Sequence, residues 1–172
     1  GVACENVWST GSALVDINGD GLLDIYVCKS GKPSGQRRHN ELFINNGDLT
    51  FSERSKEYGL DFTGLSVHAS FFDFDKDGDL DCYLLSYYIR SVCGYDLIED
   101  QRYIPSKEWN KFLVNENGFF VEKSDEVWIY TSDMGFGLGI TISDFNGDSW
   151  DDIYVSNDFF ERDYLYLNNK NG

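Results

Sequence analysis

An acidic nine-residue loop occurs three times in this chain and restricts its fold more than any other feature. The copies, which we call loops 1, 2 and 3, occupy residues 16–24, 73–81 and 144–152. They read Asp-Ile-Asn-Gly-Asp-Gly-Leu-Leu-Asp, Asp-Phe-Asp-Lys-Asp-Gly-Asp-Leu-Asp and Asp-Phe-Asn-Gly-Asp-Ser-Trp-Asp-Asp. Alternate residues of a tightly curled loop can direct their oxygens at one centre, and Ca²⁺ takes about six to eight oxygen ligands. The sequence therefore predicts about three calcium ions as cofactors.

The predicted ligands are the side chains at loop positions 1, 3, 5 and 9, together with the peptide carbonyl at position 7. They are Asp16, Asn18, Asp20, Leu22 and Asp24 in loop 1, Asp73, Asp75, Asp77, Asp79 and Asp81 in loop 2, and Asp144, Asn146, Asp148, Trp150 and Asp152 in loop 3. Position 6 is expected to form a sharp turn, where a residue tolerant of positive φ is favoured. Gly21 and Gly78 meet this requirement, and Ser149 meets it less well.

Two other interpretations of the loops are weaker. Asp-Gly and Asn-Gly are common turn formers, but a plain hairpin turn does not explain one ligand register repeated three times. An EF-hand needs a bidentate Glu at position 12 and flanking helices. Position 12 is Val27, Leu84 or Val155, and the flanks are short apolar runs typical of strands. The pattern excludes the EF-hand.

The loops belong to a longer repeat that predicts an all-β chain. Each loop lies between two short apolar runs and is followed by a hairpin signal such as Asn40-Glu-Leu-Phe-Ile-Asn-Asn-Gly. Four antiparallel strands per unit describe a β-propeller blade. We predict blades at about residues 9–60, 61–130 and 131–172, the last lacking its fourth strand. Because propellers usually close with about four to eight blades, the pattern predicts a fragment of a longer protein. The alternatives are an open stack or a ring closed by oligomerisation.

Composition limits the classes of partner and compartment. The net charge is −16, which disfavours nucleic acid because phosphate would be repelled. No apolar run is long enough to predict a membrane span. Loops of this kind suit a milieu with millimolar calcium, so we expect an extracytoplasmic location. Cys28 and Cys82 lie in apolar strand runs and are expected to be buried thiols, although a bridge from Cys82 to Cys93 stays open.

These residues resemble the FG-GAP/VCBS calcium repeat of integrin α-subunit propellers and secreted bacterial proteins. The pattern Asp-x-Asn/Asp-x-Asp-Gly-x-x-Asp followed by Ile-Tyr-Val carries the resemblance. The hairpin that begins at Asn40, with Tyr58-Gly-Leu after it, is similar to the cartilage acidic protein-like, ASPIC/UnbV-associated group. The resemblance implies a seven-bladed propeller with calcium in the loop that joins the first two strands of each blade. Ser149 departs from the pattern.

The sequence favours a binding or adhesion scaffold, with calcium structural. A polysaccharide lyase or hydrolase and a structural spacer in a surface protein are the alternatives. No nucleophile motif accompanies His39 or His68, so we expect no catalysis by this chain. The glycine-rich run at residues 135–140 precedes a strand, which favours close strand packing over a phosphate cradle. The long segment after loop 2, rich in tyrosines around Tyr95, is a candidate contact for a protein or carbohydrate ligand. The alternative is a plain insertion that packs on its own aromatic side chains.

Overall fold

The described part of the chain folds entirely into β-strands and connecting turns. The structure is a computed structural model, and it describes residues 2, 8–30, 39–87, 109–131, 135–158 and 161–170. Within these ranges no helix forms, and none therefore offers a span long and apolar enough to cross a membrane. The strands are β1 (Trp8–Val15), β2 (Asp24–Ser30), β3 (Glu41–Asn45), β4 (Phe51–Glu53), β5 (Ser66–Phe72), β6 (Asp81–Ser86), β7 (Lys111–Glu116), β8 (Phe119–Glu122), β9 (Gly137–Ser143), β10 (Asp152–Asn157) and β11 (Tyr164–Tyr166).

The strands form three antiparallel sheets in chain order, which confirms the predicted all-β class and the propeller-like blades. The first two sheets have the orders β1-β2-β3-β4 and β5-β6-β7-β8, and the third contains β9, β10 and β11 with β10 in the middle. Each sheet therefore places its strands side by side in chain order. The register of the first pair shifts between Ser9 and Gly11 in sheet 1 and between Ser66 and His68 in sheet 2. The repeated sheets therefore share even the place at which the pairing of their first two strands is irregular.

The second strand of each sheet is its most buried strand and pairs with a neighbouring strand on both edges. In β6, whose sheet packs against both of the other sheets, every residue is buried, as expected for a strand covered on both faces. Tyr26 and Tyr83, which are equivalent, are fully buried, and so is Val155 in β10. One apolar core lies between sheets 1 and 2 and another between sheets 2 and 3. In the first core the Tyr26 and Phe71 rings meet edge to face with centroids 5.5 Å apart.

The segment after the fourth strand closes the gap to the next sheet. After β4 a turn ends at Gly59, which has φ +72°, and Leu60 then enters the core between sheets 1 and 2 with no exposed surface. The Phe120 amide of β8 donates to the Tyr58 carbonyl at 2.8 Å. A Cβ on Gly59 would lie 2.6 Å from the Phe120 carbonyl oxygen. Ile129 takes the position after β8 and is buried in the second core.

Several minor predictions are resolved by this packing. Cys28 and Cys82 are buried free thiols, as expected, and Cys93 lies outside the described residues. The glycine-rich run does lead into β9, where a Cβ on Gly137 would lie 2.3 Å from the Leu85 side chain. Close approach of sheets 2 and 3 therefore explains that glycine.

Candidate metal centre

Loops 1, 2 and 3 each join the first two strands of a sheet. Loop 1 connects β1 to β2, loop 2 connects β5 to β6, and loop 3 connects β9 to β10. The final Asp of every loop is also the first residue of the second strand. The strand-loop-strand arrangement that excludes an EF-hand is therefore present in all three copies. Equivalent loops lie at equivalent ends of the three sheets.

The position 1 carboxylates receive backbone amides from the far side of their own loop. The Asp16 side chain accepts hydrogen bonds from the amides of Asp20 at 3.0 Å and Gly21 at 2.9 Å. The Asp73 side chain accepts from the Gly78 amide at 3.2 Å, and that of Asp144 accepts from the Ser149 amide at 2.7 Å. These bonds lower the pKa of Asp144, with the Ser149 amide as the main cause. Loop curvature is thus fixed by the first residue.

Positions 3 and 5 continue the same pattern two residues at a time. Each position 3 oxygen accepts the position 5 amide, at 3.0 Å from Asn18 to Asp20, 3.2 Å in loop 2 and 2.9 Å in loop 3. Each position 5 carboxylate accepts the position 7 amide, for example that of Leu22 at 2.8 Å. A carboxylate or amide oxygen has two lone pairs, so these acceptors keep capacity for a cation. The alternation that suggested a ligand set also folds the loop.

The position 9 carboxylates have a second role that the sequence analysis missed. Asp24 is fully buried and accepts from the Ile17 amide at 3.1 Å with one oxygen and from the Asn45 amide, at the end of β3, at 2.8 Å with the other. Asp81 bridges Phe74 and Asn115 in the same way, at 3.2 and 2.9 Å. Asp152 bridges Phe145 and Asn168, at 2.9 and 2.8 Å. This carboxylate holds loops 1 and 2 to the third strand of their sheets, and loop 3 to Asn168, just after the third strand of its sheet.

Backbone conformation confirms the reasoning about position 6 and adds position 4. Gly21, Gly78 and Ser149 have φ values of +83°, +99° and +72°, so Ser149 adopts the left-handed conformation despite its side chain. Position 4 is also left-handed, with φ +63° at Lys76 where the other two loops have glycine. The glycines at position 4 of loops 1 and 3 were the signal in the sequence from which this left-handed conformation could have been predicted.

Loop 2 brings its carboxylates together most closely. One oxygen from each of Asp73, Asp75 and Asp81 lies within 4.8 Å of the others, and no other such cluster occurs in the described ranges. Asp73 Oδ1 and Asp79 Oδ1 are buried without a hydrogen-bond partner. Burial raises the pKa of Asp79, and the charges of Asp77, Asp75 and Asp73 raise it further. Burial also raises the pKa of Asp81 to about 7. Hard oxygens, close together and partly unsatisfied, fit a calcium ion.

In loops 1 and 3 some of the carboxylate oxygens are already paired with donors from the protein itself. The Asn18 amide group donates to Asp20 Oδ2 at 2.9 Å. Lys170 Nζ lies 3.4 Å from Asp148 Oδ2. The Trp150 amide is the main cause of a lowered pKa at Asp148, and Lys170 contributes. Their oxygens fit the same ion, but their carboxylates lie less close together than those of loop 2.

Asparagines in the hairpins support the loops from outside, which sequence reasoning treated only as turn signals. The Asn45 side-chain amide donates to the Leu23 carbonyl at 3.2 Å, and that of Asn115 donates to the Leu80 carbonyl at 3.3 Å. The Asn40 side chain, at the start of its hairpin, accepts the Lys29 amide at 2.9 Å. The aligned repeats contained this signal, since asparagine recurs at both hairpin positions.

The other candidate contact residues are only partly described. Tyr95 and most of the long segment after loop 2 lie outside the described residues. At its edges Trp109 is buried, and the Tyr87 ring packs edge to face on Phe136 at 5.7 Å. His39 Nε2 lies 4.0 Å from Glu41, and His68 is half-buried in β5. The charged turn before β11 is tied together by hydrogen bonds, including one from the Asn157 amide to Asp163 at 2.9 Å.

Comparison with known proteins supports the repeat. Residues 16–84 match the family model described as FG-GAP-like repeat. The match begins at the first residue of loop 1, contains loop 2 and ends in β6. A comparison with curated proteins found no match. Loop 3, which lies beyond the matched residues, reproduces the hydrogen-bond pattern of the two loops within the match.

Proposed function

Because residues 16–84 form an FG-GAP-like repeat, we propose that this chain is a calcium-binding β-propeller module that acts as a binding or adhesion scaffold outside the cytosol. The observation that carries this proposal is the cluster in loop 2. Three carboxylates converge there within 4.8 Å. Two buried carboxylate oxygens of this loop, one from Asp73 and one from Asp79, have no hydrogen-bond partner. Like charges held this close destabilise a loop unless a cation joins them.

In loop 2 the ion would be held by Asp73, Asp75, Asp77 and Asp81, with the position 7 carbonyl of Asp79 as a further ligand. The corresponding residues of loops 1 and 3 would hold one ion each, with asparagine replacing aspartate at position 3. Calcium supplies positive charge and a demand for many oxygens, and the chain supplies loops already curved by their own amides. The position 9 carboxylate would link the ion to the third strand through the amide that it accepts.

We assign calcium a structural role in this module. With a dissociation constant of about 0.1 mM and about 1 mM free calcium, each site contributes about 1.4 kcal/mol to the free energy of unfolding. Three such sites contribute about 4 kcal/mol, which is a large share of the stability of a small domain. We propose no catalytic role. A protein or carbohydrate partner would contact loops carried by this stabilised scaffold.

Calorimetric titration of the EDTA-treated protein tests the calcium proposal. We expect about three sites and a clear rise in melting temperature with calcium, but a much smaller rise with magnesium, which tolerates irregular loops poorly. Asp77→Ala, which removes the position 5 oxygens altogether, should remove one site. Asp61→Asn, which neutralises an exposed carboxylate outside the loops, should keep all of them. Failure to bind calcium, with a melting temperature indifferent to EDTA, would refute the proposal.

A further inference from the structure

Loops 2 and 3 are in direct contact through a cation and an aromatic ring. Lys76, at position 4 of loop 2, places its ammonium 4.5 Å from the ring centroid of Trp150, at position 7 of loop 3. Lys76 does so from a left-handed backbone conformation with φ +63°, where loops 1 and 3 have glycine. A lysine is an unfavourable choice for that conformation. Its contact with Trp150 gives the residue a role that the turn does not require.

A hydrogen-bonded relay also joins the two loops. The Asn168 side-chain amide donates to the Phe74 carbonyl of loop 2 at 2.7 Å. The Asn168 backbone amide donates to Asp152 of loop 3 at 2.8 Å. Phe74 donates its own amide to Asp81 at 3.2 Å. The relay therefore runs from the position 9 carboxylate of one loop to that of the other.

The equivalent asparagines make no such link. Asn45 and Asn115 direct their side-chain amides to Leu23 and Leu80, each within its own sheet. Among the described residues, which include all of loops 1 and 2, no hydrogen bond, ion pair or ring contact joins those two loops. Instead, Leu23 of loop 1 and Leu80 of loop 2 line an open cleft of about 570 Å³. Only the pair formed by loops 2 and 3 has both direct links.

We propose that loops 2 and 3 bind calcium as a coupled pair, with positive cooperativity, whereas loop 1 binds independently. This inference rests on the proposed calcium binding. An ion in loop 2 fixes Phe74 and Lys76, and these residues hold Asn168 and Trp150 in place. Loop 3 is then partly ordered before its own ion arrives, so its binding loses less conformational entropy. Linkage requires loop 3 to favour loop 2 by the same factor.

Calorimetry on loop-silenced variants of the whole chain measures the coupling. Asp20→Asn, Asp77→Ala and Asp148→Asn change position 5 of loops 1, 2 and 3. Three double variants, each with one intact loop, give the intrinsic calcium affinities of loops 1, 2 and 3. Asp20→Asn alone leaves both loops intact, and there we expect the second ion to bind about fivefold more tightly than the single-loop values predict. In Asp148→Asn, where loops 1 and 2 remain, the affinities should equal the single-loop values.

Substitutions of Lys76 test the contact without altering a ligand. In the Asp20→Asn background, Lys76→Gly gives loop 2 the glycine that the other loops have and should remove most of the cooperativity. Lys76→Arg keeps a cation over the ring and should preserve it. Suppose that the single-loop variants bind calcium, but that Asp20→Asn, in which loops 2 and 3 are both intact, shows no cooperativity. That result would overturn the coupling and leave the calcium proposal standing. No binding in any variant would overturn both.

Discussion

The buried carboxylate at position 9 gives the sharpest prediction, because it separates a fastening role from a metal-binding role. Replacing Asp24 by alanine removes both acceptors of the Ile17 and Asn45 amides, and Asp24 itself has no exposed surface. We therefore expect the Asp24→Ala protein to be strongly destabilised even when calcium is absent. Asp20→Ala serves as the matched control, since it removes an exposed carboxylate, also a proposed ligand, from the same loop.

The magnitude follows from the number of amides left without an acceptor. An unsatisfied buried donor costs about 1–3 kcal/mol, so two cost about 2–6 kcal/mol. Removing a buried carboxylate recovers part of this, because its own burial is unfavourable without a cation. We expect a net loss near 3 kcal/mol for Asp24→Ala in EDTA. Asp20→Ala loses two exposed hydrogen bonds, from the Leu22 amide at 2.8 Å and from the Asn18 side-chain amide at 2.9 Å, and should cost about 0.5–1 kcal/mol because water can replace both.

Urea unfolding at neutral pH, in EDTA and again in millimolar calcium, measures both effects. In EDTA the free energies of unfolding of the two variants should differ by about 2 kcal/mol. In calcium each variant should fall about 1.4 kcal/mol further below the unsubstituted protein, because each has lost one site. Asp24→Asn keeps one acceptor and should lie between them. Equal stability of Asp24→Ala and Asp20→Ala in EDTA would refute the fastening role and leave Asp24 as a ligand alone.

Three further predictions concern backbone strain, pH and close packing. Ser149→Gly should raise the free energy of unfolding in EDTA by up to about 1 kcal/mol by relieving its positive φ, and urea titration showing no gain would contradict that strain. The folded pKa of Asp81 is about 7, above the unfolded value near 3.9, so its contribution to metal-free stability is lost as pH rises from about 4 to 7. The melting-temperature difference between the unsubstituted protein and Asp81→Asn should fall over that range, and a rise would contradict the sign. Gly59→Ala places a Cβ 2.6 Å from the Phe120 carbonyl and should cost more than Gly118→Ala, whose Cβ meets nothing within 4 Å although both have positive φ. Equal melting temperatures of the two alanine variants would argue against that clash.

The fold was predictable because the same signals occur three times. Alternating ligands, apolar runs and Asn-Gly turns mark strand, loop, strand and hairpin, and the aligned copies reinforce one another. A single copy of loop 1 would have been compatible with an isolated hairpin turn. The positive φ of Ser149 was foreseeable for the same reason, since its equivalents Gly21 and Gly78 both indicate a sharp turn.

The double role of the position 9 carboxylate was not predictable, because its second bond depends on register. Asp24 and Asn45 are twenty-one residues apart in sequence, and their contact exists only once β2 and β3 pair. The link between Lys76 and Trp150 is less predictable still, since it joins two sheets whose relative placement no local pattern encodes. Spacing within a loop identifies candidate ligands, but it does not show which of them also hold the sheet together.

The buried apolar residue that follows the fourth strand, Leu60 in sheet 1, affects where such modules can be divided and recombined. Leu60 belongs to sheet 1 by chain order, yet it is buried in the core that sheet 1 shares with Ala69, Leu84 and Phe120 of sheet 2. In a chimera joined directly after β4, sheet 1 would lose Leu60, the residue after its last strand that fills the core shared with sheet 2. A junction placed after Leu60 would keep this residue with sheet 1. The interchangeable part of this architecture is therefore offset from the visible sheet by one turn, and insertions and duplications should be tolerated at that boundary first.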